Sequence, residues 1–192
     1  MIHDLAEAYR RYLDEVDWIT RSGTWGAYAD LFGADAVFHR SGVHDVRGRE
    51  AIRAMILTET TTLPGSLIER TDVLWHSLDQ RRRLVVQEMR HVARDPGDGS
   101  QHHALATSVL RLGADGLWAR LDVAHSPEAY RSMYRRWALA AHRCGRTDEA
   151  HQVRQLLEVA HPVVCPPSPP RPDLGRRRHR AHSWDTSVVR RR

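Results

Sequence analysis

Apolar residues fall at helical spacing near both ends of this chain and alternate through its middle. From Asp4 to Ile19, Leu5, Tyr9, Tyr12, Leu13 and Val16 share one face, and Asp4 and Glu7 have capping-box spacing, which predicts a first helix broken at Ser22-Gly23. Thr24 then caps a second helix, Trp25 to Phe32, in which Trp25, Tyr28, Leu31 and Phe32 recur at helical spacing and Gly33 is the stop. Ala36-Val37-Phe38 has strand character and leads into a polar loop with Gly42 and Gly48, and a third helix runs from Arg49 to Thr58. Leu63-Pro64-Gly65 ends it.

The pattern then changes period. Leu67 to Leu78, Leu84 to Arg94, His102 to Leu112 and Leu117 to Ala124 read as strands separated by Asp79–Arg81, Asp95–Ser100 and Gly113–Gly116. Ser126-Pro127 opens another helix, with its cap and N1 proline in place, which continues through Tyr130, Met133, Tyr134, Trp137, Ala140 and Ala141 to Gly145. Thr147 caps a last helix with Val153, Leu156, Leu157 and Ala160 on one stripe. The expected architecture is α+β: a curved antiparallel sheet wrapped around the N-terminal helices, with a cone-shaped pocket between them. A C-terminal helical hairpin follows, over residues 126–161. It can pack on the outer sheet face, cover the pocket mouth or mediate dimerisation, and packing or dimerisation is preferred.

The residues Leu31, Phe32, Asp35, Ala36 and His39, followed by Arg47 to Arg53, resemble the signature of SnoaL-like proteins. These form the branch of the nuclear-transport-factor-like superfamily that includes polyketide cyclases, ketosteroid isomerases and limonene epoxide hydrolases. The resemblance implies a domain over residues 1–125 and a cofactor-independent isomerase, cyclase or dehydratase acting on a hydrophobic small molecule in natural-product biosynthesis. One such cone hosts many reactions, so a non-catalytic ligand-binding or dimerisation module of the same fold stands as the alternative. A homodimer is the expected assembly.

Charge changes the picture once it is located. The net +5 of the 192 residues comes from the tail, because residues 162–192 hold eight Arg against two acids. This Pro- and Arg-rich segment is expected to be disordered, and weak contact with a polyanion through it is the one nucleic-acid association foreseen. No apolar run approaches a membrane span and the N-terminus lacks a signal-peptide stretch, which leads to a cytoplasmic expectation. Cys144 and Cys165 have neither disulfide-framework nor metal spacing, and the thirteen histidines lack a ligand pattern, so no metal is expected.

Asp122 leads the catalytic candidates. In SnoaL-like cyclases an aspartate late in the sheet is the general acid/base, and the resemblance carries that role to Asp122. Independently, a carboxyl group in an apolar cone has its pKa raised toward the range of a proton shuttle. His39, at the exit of the first strand, is the expected partner because imidazole titrates near neutrality. Ketosteroid isomerases place their base one position further on, where this chain has Arg40, which argues against that mechanism and leaves an arginine that either neutralises an enolate or carboxylate or faces solvent. Trp25, Tyr28 and Trp118 are expected to shape the cavity, with Trp75 and Arg40 beside them. In the second meander strand Gln87, Met89 and His91 share one face and Val86, Glu88 and Arg90 the other, with either face able to line the pocket; Gln87 and His91 are the candidates if theirs does.

Overall fold

Asp4 starts the first helix by accepting the Ala6 N–H through its carboxylate at 3.0 Å. This helix, α1 (Leu5–Ser22), buries Leu5, Ala8, Tyr9, Tyr12 and Ile19 and ends where Gly23 takes a left-handed φ of 70°. The computed structural model describes residues 4–41 and 44–159; Gly42 and the Pro- and Arg-rich segment with Cys165 lie outside the described residues.

Trp25–Leu31 forms a 3-10 helix rather than an α-helix. Gly33 is not a helix stop, because β1 (Phe32–Arg40) has already begun and the predicted three-residue strand extends over nine. The two-residue β2 (Val46–Arg47) precedes α2 (Arg49–Thr61). The meander follows as β3 (Ile68–Asp79), β4 (Leu84–Ala93), β5 (His102–Leu112) and β6 (Trp118–His125), and the chain continues into α3 (Pro127–Arg143) and α4 (Thr147–Val159). All six strands make one sheet in the order β2-β1-β6-β5-β4-β3. The pairing is not wholly antiparallel, since β1 runs parallel to β6.

Alternation along these strands sorts the sheet into two faces. Val85 and Met89 on β4, Ala106, Leu110 and Leu112 on β5, and Leu121 and Val123 on β6 pack with Leu5, Tyr9 and Tyr12 of α1 and Ile52 of α2 in the larger core. Further along the same concave face, Ala93 and Ala104 pack with Met133, Tyr134, Trp137, Ala138 and Ala141 of α3 and Ala150 and Val153 of α4. The hairpin therefore packs on the second half of the concave face, in contrast to the preferred packing on the outer face. An apolar helical stripe requires burial, but it does not name the surface that buries it.

Three contacts hold the hairpin. Ser126 caps α3 by accepting the Ala129 N–H at 3.2 Å. The fully buried Trp137 donates its indole N–H to the Arg94 carbonyl at 2.6 Å, with the Arg146 guanidinium 5.4 Å above its ring. Glu149 of α4 pairs with both Arg94 and Arg146. Among the described residues no helix is long and apolar enough to cross a membrane. Trp137→Ala is expected to destabilise the fold by about 3–5 kcal/mol, and Trp137→Phe by about 1–3 kcal/mol, since it keeps a ring but gives up the hydrogen bond and part of the indole volume; urea unfolding of the two variants measures the difference.

Candidate functional site

Between the two core clusters lies a cavity of about 280 Å³. Its apolar wall comes from α1 (Leu13, Val16), α2 (Ile56) and the sheet (Val73, Met89, Leu121). On the floor, the side chains of Tyr12, Tyr28, Gln87 and Ser108 are paired. The Tyr9 hydroxyl donates to Gln87 Oε1 at 2.6 Å, and Gln87 Nε2 donates to Ser108 Oγ at 3.0 Å. The Tyr12 and Tyr28 hydroxyls are bonded to each other at 3.0 Å. Gln87 and Ser108 are thus buried without loss of their hydrogen bonds. Burial holds Tyr28 up at about 12, so it keeps its proton.

The other end is polar and charge-balanced. Arg40, at the end of β1, forms an ion pair with Glu59 of α2. A guanidinium carries more donors than one carboxylate oxygen engages, so Arg40 keeps N–H groups for the cavity it lines. Beside the pair stand His91 of β4 and His125 of β6, with Tyr130 and Tyr134 of α3. Burial pushes His91 down to about 4, with help from neighbouring His125 and Arg40. Burial also lowers His125, reinforced by Arg40 and opposed by Glu59. Both imidazoles are neutral at neutral pH. Tyr134 is raised to about 12, chiefly by burial, and remains a donor. The end therefore offers a carboxylate, a guanidinium and neutral rings that can each give or accept a hydrogen bond.

The sequence candidates divide. Trp25, Tyr28, Arg40, Gln87 and His91 line the cavity. Asp122 and His39 do not: they are neighbours in the β1–β6 register, but on the convex face. Asp122 is held by the Arg120 guanidinium at 2.6–2.9 Å, and His39 Nδ1 is 2.8 Å from Asp45. Leu121, Val123 and His125 take the inward positions of β6, so the residue between Leu121 and Val123 must point outward. Trp75 is also corrected: a bulge between Val73 and Trp75 breaks the alternation and turns it outward, where it is 49% exposed and donates to Glu88. Trp118 is core, edge-on to Tyr12 at 5.5 Å, rather than cavity wall.

Glu59, His125, Tyr130 and Tyr134 were not among those candidates. His125 shares the parity of Leu121 and Val123, and Tyr130 and Tyr134 are one helical turn apart on the stripe of α3, so both signals are present in the sequence. Glu59 carries no such signal, since its place depends on how α2 crosses the end of β1.

The SnoaL-like domain profile matches residues 9–121. Among solved structures, the epoxide hydrolase/cyclase-like enzyme SalBIII, described for pyran ring formation in polyether salinomycin, is similar with a TM-score of 0.50 at 17% identity, over 65% of this chain and 92% of that one. An LEH-like epoxide hydrolase of M. tuberculosis gives a TM-score of 0.53 at 12% identity, over 68% of this chain and 87% of that one. At these identities the likeness is one of fold. No curated protein matches the chain in sequence.

The neutral state of His91 has a measurable consequence. Its folded pKa lies below the 6.5 of the free side chain, so the unfolded chain binds the proton first as pH falls. The stabilising contribution of the neutral ring is complete above pH 6.5 and is lost on descent toward pH 4. The slope from this group approaches about 1.4 kcal/mol per pH unit. Urea unfolding across that range checks it, and His91→Phe is expected to flatten the profile.

Proposed function

The chain belongs to the SnoaL-like family, and on that footing we propose that its cone is the active site of a cofactor-independent enzyme. The reaction is proton transfer on a hydrophobic small molecule, as an isomerase, cyclase or dehydratase of natural-product biosynthesis. One observation carries the reading: an apolar cavity whose polar end joins the Arg40–Glu59 pair to two neutral imidazoles.

The apolar body of the substrate lies against Leu13, Val16, Ile56 and Val73, and its oxygen faces the unused N–H groups of Arg40. Glu59 takes a proton from the carbon next to the carbonyl that bears that oxygen. The negative charge that develops on the oxygen is offset by Arg40, in surroundings where little water competes. The proton returns from Glu59 at a second carbon to give the isomer, or is given to a hydroxyl that leaves as water. In a cyclisation the enolate carbon attacks a second carbonyl of the same molecule, whose oxygen takes the proton. Neutral His91 and His125 orient the oxygen by hydrogen bonding. No role is left inside the cone for Asp122 or His39. Their place on the convex face favours the second reading, a binding module without turnover.

Hydrophobic ketones incubated with the protein in deuterated water separate the two readings. The wild type is expected to speed deuterium uptake beside the carbonyl of trans-decalone, and Glu59→Gln to slow it by about a hundredfold. Mass spectrometry reads the uptake. Binding of the ketones with uptake no faster than in protein-free solution would sink the enzymatic reading and leave the binding module.

A further inference from the structure

Residues 122–159 lie beyond the segment that the SnoaL-like profile matches, yet they supply His125, Tyr130 and Tyr134 to the cavity. These groups differ from those on the floor in one respect. Tyr9, Tyr12, Tyr28, Gln87 and Ser108 are all hydrogen-bonded to protein. His91, His125, Tyr130 and Tyr134 have no hydrogen-bond partner among the described residues, and none is among those with further interactions. Nor are their polar atoms sealed in the core. Among the described residues, the buried side-chain nitrogens and oxygens without a partner are Nε of Arg83 and Nε of Arg94. The four unpaired groups at this end are therefore open to the cavity, where a ligand can satisfy them.

Tyr130 occupies the centre of this set. Its ring meets His125 edge-on, with centroids 4.9 Å apart and planes at 67°. It meets His91 in the same manner at 5.7 Å and 82°. Tyr134 stands behind it at 6.3 Å. Aromatic edges at these separations restrict how an imidazole can turn, so one side chain of the hairpin sets the orientation of two rings from two different strands.

We propose that the α3–α4 hairpin is a specificity element and that Tyr130 is its ligand contact, donating a hydrogen bond from its hydroxyl to an acceptor oxygen of the ligand while its ring positions His91 and His125. The ligand is uncharged at this end, a ketone, ester or ether rather than a carboxylate or phosphate. The charge of Arg40 is already matched by Glu59, and the other groups facing the oxygen are neutral donors. The inference shares with the proposed function only the seat of the ligand in the cavity, and it requires no turnover.

The test uses the full chain and two probes of the same shape, trans-decalone and trans-decalin, which differ in the acceptor oxygen. Dissociation constants are measured by protein-detected NMR, with the imidazole signals of His91 and His125 followed in the same spectra. The wild type is expected to prefer the ketone. Tyr130→Phe is expected to weaken ketone binding by about tenfold while leaving the hydrocarbon unchanged, with the imidazole signals in place because the ring remains. Tyr130→Leu is expected to shift both imidazole signals. Equal affinity of the wild type for the two probes, or undiminished ketone binding by Tyr130→Phe, overturns the ligand contact. Unmoved imidazole signals in folded Tyr130→Leu overturn the positioning role, and Tyr130→Phe still decides the contact should the leucine variant fail to fold. Absence of deuterium uptake with the ketone preference intact removes the enzymatic reading and leaves this one standing.

Discussion

Strand pleating governs this molecule, because each residue of a strand can face either the helices or solvent but not both. The inward positions of β4, β5 and β6 hold Val85, Met89, Ala106, Leu110, Leu121 and Val123 as core, with Gln87, Ser108, His91 and His125 set among them in the same parity. Core and cavity therefore occupy one surface, and the helices decide where one ends and the other begins. Where α1 and α2 descend onto the sheet, Tyr9, Gln87 and Ser108 are joined in one closed hydrogen-bonded set. Where α3 closes over the far end, polar groups stay unpaired and face open volume.

That division also accounts for the electrostatics. The convex face carries strong but solvent-exposed ion pairs, Arg120 with Asp122 and Arg90 with Asp72, whose net contribution is small because water screens both partners. Among the described residues, the charge that lines the cavity is the pair of Arg40 with Glu59, at the rim of an apolar volume. Imidazoles beside it lose their protons, because neither burial nor a neighbouring guanidinium tolerates a second positive charge.

Much of the fold is legible in the sequence because its turns carry their own chemistry. Asp95 accepts the N–H groups of Gly97 and Gly99, and Asp115 accepts that of Leu117, so the strand boundaries around them fall close to where composition puts them. The segment from Trp25 is less legible, since residues three apart fit a 3-10 helix as well as an α-helix and Phe32 is claimed by pairing with Trp118. Of the site, the shared face of Gln87 and His91 is readable as a face, but its direction is not. Asp122 has the strand-end position of a pocket residue, but the parity of Leu121 and Val123 turns it outward. Trp75 is lost to a bulge, which inserts a residue without any compositional mark in Val73-Leu74-Trp75. Glu59 and the seat of the hairpin depend on long-range packing, which no local pattern encodes.

The parallel pairing of β1 with β6 has a consequence for how the chain comes to be folded. Phe32 finds Trp118, and Val37 finds Arg120, across the whole of the intervening meander. Contacts so distant in sequence form only after the loop between them has been closed, which makes them late and slow. During synthesis β1 leaves the ribosome long before its parallel neighbour exists, and Phe32, Ala36 and Phe38, all buried in the finished sheet, lack the cover of β6 until that strand arrives. The pairing of β1 with β2 and the ion pair of Arg40 with Glu59 are local in the chain, so it is the junction of β1 with the meander that waits for β6.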